Sequence, residues 1–254
     1  MTLIKSPEEQ EKMRRAGKIW AEVMQQLEPM CKPGTTTKQI DTKAQELIES
    51  LGGTPGFLNY KPAWAHHAYP ATICASVNDS IVHGIPNDYA LKDGDLLTID
   101  MGVKIEGYNV DAARTFIIGN GSKEAHQLVQ ATKEALDEAL KVVREGATLG
   151  DVGAAIEKVA HNYNLSVVEG LTGHGVGKDL HEEPTVFNTG VEGEGITLKE
   201  GMCLAIEPMF STGSEQIIQK PSDESYATKD GSLSAHFEHT VLVKKDGVEV
   251  LTGL

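Results

Sequence analysis

Apolar residues recur with a helical period from the start of the chain. Met13, Ala16, Ile19, Trp20, Val23, Met24 and Leu27 share one face at 3.6 residues per turn. Ser6 before Pro7, with Glu9 three positions on, supplies a capping box that starts this helix, and Pro33-Gly34 blocks its continuation. The same spacing predicts a second helix from about Thr37 to Leu51, stopped by Gly52-Gly53. A third runs from about Lys123 to Arg144, carries Leu128, Val129, Ala135, Leu136 and Leu140, and ends at Gly146; a fourth runs from about Leu149 to Tyr163. Between them, 96–105 and 108–117 read as a strand pair across a turn at Glu106-Gly107, and 202–207 and 234–243 as a second pair. A final hairpin turns at Lys245-Asp246-Gly247. Helix pairs alternating with strand-rich blocks predict an α+β architecture. With no internal repeat, Ser/Gly linker or charge block, a single domain over residues 1–254 is expected.

Composition narrows the function classes. The chain has 254 residues, 40% of them apolar, with 26 glycines and 24% charged residues. Such a chain buries a core without disulfide or metal staples. No run of about 20 apolar residues offers a transmembrane helix, and the N-terminus becomes charged at Lys5, Glu8 and Glu9 before a secretory h-region can form. Thirty-seven acids against 23 bases leave a formal charge of −14, which argues against a large basic footprint for DNA or for an anionic membrane. Cys31, Cys74 and Cys203 are odd in number and far apart, so they form neither a disulfide framework nor a C-x-x-C knuckle. A reducing, cytoplasmic setting is the expectation.

Chemistry enters with acids that interrupt hydrophobic strands. Asp100 breaks the run Leu96-Leu97-Thr98-Ile99-Asp100-Met101-Gly102-Val103, and the chain returns through Tyr108-Asn109-Val110-Asp111. A two-residue turn makes Asp100 and Asp111 diagonal neighbours; a four-residue loop sets them directly opposite. Either way period two puts both on one face, where two like charges repel unless a positive group lies between them. Gly173-His174-Gly175-Val176-Gly177 frames an imidazole with glycines, and His181 follows seven residues later. Glu207 ends the apolar run Met202-Cys203-Leu204-Ala205-Ile206, and Glu238 sits between Phe237 and Val241-Leu242-Val243. Each alone is an ordinary strand-end acid or surface histidine. Together they form an oxygen-rich, single-nitrogen ligand set on four strand-like segments. Four negative charges in one partly buried pocket repel prohibitively, and two divalent cations cancel them. Bridging carboxylates hold such ions about 3.5–4 Å apart, the spacing that activates a water between them. Hard ligands of this kind suit Mn, Fe or Co, allow Zn, and exclude a thiolate-rich zinc site.

Five separated segments, in order, resemble the motifs of the methionine aminopeptidases. They are Thr98-Ile99-Asp100; Val110-Asp111; Gly173-His174-Gly175-Val176-Gly177 with His181-Glu182-Glu183-Pro184; Ile206-Glu207-Pro208-Met209; and Phe237-Glu238-His239-Thr240. The resemblance implies the single-domain pita-bread fold, in which antiparallel sheet and pairs of helices surround a dinuclear metal site. It implies two divalent ions (Co, Mn, Fe, Zn or Ni). Asp100 is then a ligand of one ion, Asp111 and Glu238 bridge both, and His174 and Glu207 complete the other. Glu207 is also the carboxylate that handles the proton. His83, in Asn78-Asp79-Ser80-Ile81-Val82-His83-Gly84-Ile85-Pro86, matches a family histidine that touches substrate, as does His181; without the motif His83 reads as a turn residue before Gly84.

The methionine side-chain pocket of the family matches the stretch from Ala63 to Cys74. Tyr69 and Cys74 fit its pattern, while His66 stands where a tyrosine is usual and Ala63 where a cysteine is common. Leu180 replaces a frequent phenylalanine, and the position of a frequent tryptophan falls near Glu224-Ser225-Tyr226. The short interval from His174 to Glu207 resembles the type I form. The activity implied is removal of the initiator methionine from nascent chains with a small second residue, by a cytoplasmic monomer in transient contact with the ribosome. The altered pocket keeps open a different first-residue preference, X-Pro included, and a noncatalytic binding relative is the alternative from another class.

Overall fold

The capping box at Ser6 starts the first helix. The Ser6 hydroxyl accepts from the Glu9 amide at 3.4 Å, and the Glu9 carboxylate accepts from the Ser6 amide at 2.7 Å. In this computed structural model, which describes residues 3–62, 66–221 and 225–253, that helix (α1) spans Pro7–Leu27 and runs into a 3-10 turn at Glu28–Met30. Helix α2 covers Thr37–Ser50 and is boxed in the same way by Thr36 and Gln39. Short strands follow at Thr54–Pro55 (β1), Cys74–Val77 (β2) and Ser80–Val82 (β3), then the long pair Leu96–Ile105 (β4) and Tyr108–Ile117 (β5). Helices α3 (Lys123–Val142) and α4 (Leu149–Tyr163) come next, capped by Ser122 and by Thr148 with Asp151. The rest is strand: β6 Ser166–Val167, β7 Gly173–Gly175, β8 Glu182–Val186, β9 Cys203–Ile206 and β10 Met209–Ser211. Then come β11 Ile217–Gln219, β12 Tyr226–Thr228, β13 Ser234–His236, β14 His239–Lys244 and β15 Gly247–Val250.

Strand β4 organises one half. It pairs with β5 along one edge and with β2 and β1 along the other, all antiparallel. The opposite half is a five-stranded antiparallel sheet in the order β15-β14-β9-β7-β8. Each half carries its own helix pair and its own core. Trp20, Met24 and Ile40 pack on Ile99, Met101 and Val103 in the first. Leu128, Leu136 and Ile156 pack with Leu204, Ile206 and Val241 in the second. Fully burying a large apolar side chain contributes about 1.5–3 kcal/mol, so these two helix-on-sheet cores hold the strands between them in fixed register. The α+β expectation, with helix pairs flanking antiparallel sheet, matches this arrangement.

The turn between β4 and β5 has two residues. Glu106 and Gly107 adopt φ values of 48° and 84°, a type I′ geometry whose twist suits a hairpin. Ile105 therefore pairs with Tyr108 and Asp100 with Ala113. In one place the structure departs from the sequence expectation: the segment 234–243 is not one strand. It breaks at Phe237-Glu238, so β13 pairs with β10 while β14 pairs with β9 in the other sheet. The neighbouring chain breaks in step at Glu207-Pro208, where proline has no amide to give to a ladder. The Glu238 amide donates instead to the carbonyl of Ala113 on β5, at 2.9 Å. Two adjacent strands thus change sheets at the same level, and a glutamate stands at each crossing.

Candidate metal centre

Asp100 and Asp111 come from the β4–β5 hairpin, His174 from β7, and Glu207 and Glu238 from the two crossings. The structure brings all five together on the floor of one cavity of about 1120 Å³. The four carboxylates are at most 8% exposed. Ligand atoms of Asp100, Asp111 and Glu238 lie within 4.8 Å of one another; so do those of His174, Glu207 and Glu238, and those of Asp111, His174 and His181. Asp100 Oδ1, Asp111 Oδ1 and Glu238 Oε1 are buried with no hydrogen-bond partner. Among the described residues no lysine or arginine pairs with any of the four. A buried polar atom is normally satisfied, so three orphaned carboxylate oxygens aimed into one space fit a cationic occupant. With oxygen donors and one imidazole, the set suits hard or borderline divalent ions.

Backbone clamps hold these groups in place. The Thr240 hydroxyl accepts from the Asp111 amide at 2.8 Å and donates to the Asp111 carbonyl at 2.7 Å, tying β5 to β14. Thr115 does the same for His236, accepting from its amide at 2.9 Å and donating to its carbonyl at 2.8 Å. That donation uses the only Thr115 hydroxyl proton, so Thr98 is the donor in the 2.8 Å contact between the two threonines. Asn188 donates to the Glu207 carbonyl at 2.9 Å.

The glycines around His174 serve close packing. A Cβ on Gly173 would lie 2.3 Å from the Ala205 oxygen, and one on Gly175 would lie 2.1 Å from the Glu183 oxygen. Nδ1 of His174 is 2.8 Å from the carbonyl of Gly175, which only accepts; the ring proton is therefore on Nδ1. That leaves the Nε2 lone pair facing Glu207 at 3.7 Å and Asp111 at 3.9 Å, the tautomer a metal ligand requires.

Burial shifts the proton affinities of the ligand set. It raises the Asp100, Glu207 and Glu238 carboxyls well above the usual carboxylate range, with the charge of Asp111 adding to each. Burial brings Asp111 itself up to about 7. His174 is pulled down to about 3 and His83 to about 4, by burial first and then by His181. Binding a metal to such a set must expel the protons its acids hold.

His83 and His181 line the same cavity. His83 follows β3 with φ of 62°, a left-handed conformation uncommon for a non-glycine residue, and its ring stands 5.8 Å from that of Tyr226. His181 lies 4.5 Å from the His174 ring, and its Nδ1 is 2.9 Å from the Tyr60 hydroxyl. Its loop is pinned from below. Lys5 forms a buried 2.7 Å ion pair with Glu182, which also accepts from the Asp179 amide, and the Asn109 side-chain amide donates to the carbonyls of Gly177 and Lys178.

Tyr69, Cys74 and Leu180 form the wall together with Phe57 and Tyr60. Cys74 sits directly opposite Asp100 in the β2–β4 register, and the Tyr69 hydroxyl is 2.9 Å from the Gly84 carbonyl and 3.0 Å from that of Ile73. His66 is exposed and is not among the described residues that line the cavity, whereas His67 lines it. The two histidines sit in an irregular stretch with no strand or helix period to fix which one faces inward. Ala63 and Glu224 lie outside the described residues; Tyr226 lines the cavity. Sequence reasoning missed Tyr60, His67 and His236. Of these His236 had a signal, since period two places it on the same side as Glu238.

Residues 11–245 match Metallopeptidase family M24. The chain belongs to that family. Among its relatives, the methionine aminopeptidase of Aquifex aeolicus (strain VF5) is 42% identical over 252 residues, covering 98% of each chain. The structure of the methionine aminopeptidase from Rickettsia prowazekii superposes with a TM-score of 0.94 at 40% identity, over 98% of this chain and 99% of the other. That from Thermotoga maritima gives 0.95 at 38% identity, over 99% of both. The pita-bread fold is therefore shared over the whole length, and membership of M24 implies divalent metal at the centre. No helix among the described residues is long and apolar enough to cross a membrane.

Proposed function

We propose that this chain is a metal-dependent methionyl aminopeptidase. It removes the N-terminal methionine from nascent proteins and peptides whose second residue is small, acting in the cytosol as a monomer that meets its substrates at the ribosome. The observation that carries this reading is the cavity floor: four buried carboxylates, three of them with an orphaned oxygen, and one imidazole with its lone pair turned toward them. It stands in a chain about 40% identical, end to end, to methionine aminopeptidases.

In this reading Asp100 would hold one of two ions, His174 and Glu207 would hold the other, and Asp111 and Glu238 would serve both. When bound there, divalent metal would neutralise the carboxylates and would supply Lewis acidity for the scissile carbonyl and the attacking water. Glu207 takes the proton of that water and returns it to the departing amine, the work of a general base that then acts as a general acid. His83 and His181 hold the scissile amide and steady its developing oxyanion. With Tyr60 donating to His181 Nδ1, the proton stays on Nε2, free to donate to substrate. The aromatic and aliphatic wall of Phe57, Tyr60, Tyr69 and Leu180 receives the methionine thioether, a group that packs well on ring edges.

Incubation with Met-Ala-Ser and Met-Gly peptides in the presence of Mn or Co is the test, with released methionine as the readout. Cleavage that stops on chelation is expected; no turnover with any divalent metal, in folded protein, overturns the reading. The altered wall supports a second reading, the same chemistry with another first-residue preference. A peptide panel varied at the first two positions separates the two, since faster cleavage of a non-methionine or X-Pro peptide favours the second. The noncatalytic alternative is disfavoured, because none of the five acid and imidazole positions is missing.

A further inference from the structure

One buried imidazole stands beside the five ligand positions without being one of them. His236 is 1% exposed, and neither of its ring nitrogens has a hydrogen-bond partner. Its backbone is fixed on both sides by the Thr115 hydroxyl, and its strand is registered against Met209 of β10. The ring is thus delivered to one place. Its Nε2 stands 3.5 Å from Glu207 Oε2 and 3.6 Å from Glu238 Oε2, between the two glutamates of the sheet crossings.

A neutral imidazole offers one donor and one acceptor, and a carboxylate oxygen engaged by a metal ion keeps a lone pair for an N–H. An acceptor nitrogen between two carboxylates would only add repulsion; a donor there satisfies three groups at once. The gap is slightly longer than a hydrogen bond and closes with a small rotation of either carboxylate. We propose that His236 is a positioning residue of the metal centre: as the Nε2–H tautomer it donates to Glu207 Oε2, with Glu238 Oε2 as its second acceptor, and so fixes how both glutamates present their oxygens to the ions. His236 is not itself a ligand in this account. The inference rests on the dinuclear reading above and deepens it.

The test compares the full-length wild type with His236→Leu and His236→Gln. Calorimetric titration with Mn gives affinity and stoichiometry, and the melting temperature of the chelated protein is measured alongside. His236→Leu should weaken Mn binding by about 10–100-fold, the usual cost of losing a partner that orients a metal ligand. The chelated protein should melt no lower than wild type, because an unsatisfied buried ring has been removed. His236→Gln, which restores an N–H donor, should recover most of the affinity. Equal affinity in wild type and His236→Leu overturns the proposal, as does a Gln variant as weak as the Leu variant. Should His236→Leu fail to fold, imidazole 15N shifts of the wild type on Zn loading decide the matter. A proton on Nε2 of His236 supports the assignment; zinc bonded to that nitrogen, or a proton on Nδ1, overturns it. A wild type that takes up no divalent ion sinks the dinuclear reading beneath, whereas normal uptake with indifferent His236 variants sinks this inference alone.

Discussion

The floor and the wall of the cavity are built by different means. The floor ligands sit on strands or at the crossings between them, where the backbone is locked by cross-strand threonines, by the Ala113–Glu238 hydrogen bond and by glycine contacts too close for any side chain. The wall is assembled from Phe57, Tyr60, Tyr69 and Leu180, none of which lies on a strand; their neighbour Cys74 does. A metal centre tolerates little positional error, so its supports are rigid and redundant. A side-chain pocket needs only the right volume and surface, and loops can supply that. Leu180, a departure from the family pattern, lies on this wall, while the acid and imidazole set is complete.

Removing a floor group should expose the contrast most strongly. Glu207→Ala is expected to lower kcat by about 10² or more, as loss of general acid–base help and a ligand together would do, while the fold persists. Steady-state kinetics at saturating metal, with circular dichroism as the fold control, checks it; a near-wild-type kcat would mean that Glu207 has no chemical role. Opening the wall should act differently. Leu180→Ala removes packing for the methionine side chain, so the preference for Met over Ala as first residue should fall about tenfold, with metal stoichiometry unchanged. An unchanged preference would move the selectivity pocket away from this wall.

The smallest effect expected is on stability. The floor carboxyls hold protons above the range where an unfolded chain gives them up, and Asp111 does so to about 7. Above about pH 6.5 the folded, metal-free chain therefore binds more protons than the unfolded one, and stability falls as pH rises. Below that, the buried histidines work in the opposite sense: His174 and His236 are held near 3 by burial, so the unfolded chain gains protons there that the folded one refuses. Chelated protein should lose a few degrees of melting temperature between about pH 6.5 and 8, and divalent metal should abolish the loss. A metal-free melting temperature that climbs over that interval would contradict the protonation state assigned to the floor.

Local rules made much of this molecule legible. The capping boxes at Ser6 and Thr148, the two-residue turn at Glu106-Gly107 and the shared face of Asp100 and Asp111 all follow from short-range periods and turn chemistry. Features that depend on distant pairing were hidden. Nothing within 234–243 says that the strand changes sheets at Phe237-Glu238, because the break is set by β10 and by the Ala113 carbonyl. The choice between His66 and His67 was illegible for a related reason: an irregular segment has no phase. Period two sets His236 beside Glu238, but its approach to Glu207 comes from distant pairing and shows only in three dimensions.

Loading the purified chain with Mn or Zn and locating the ions by anomalous X-ray diffraction tests the central claim most directly. The expected result is two ions less than about 4 Å apart, held by Asp100, Asp111, His174, Glu207 and Glu238, with Asp111 and Glu238 touching both. A single ion, or a pair bound outside this group of side chains, would contradict it.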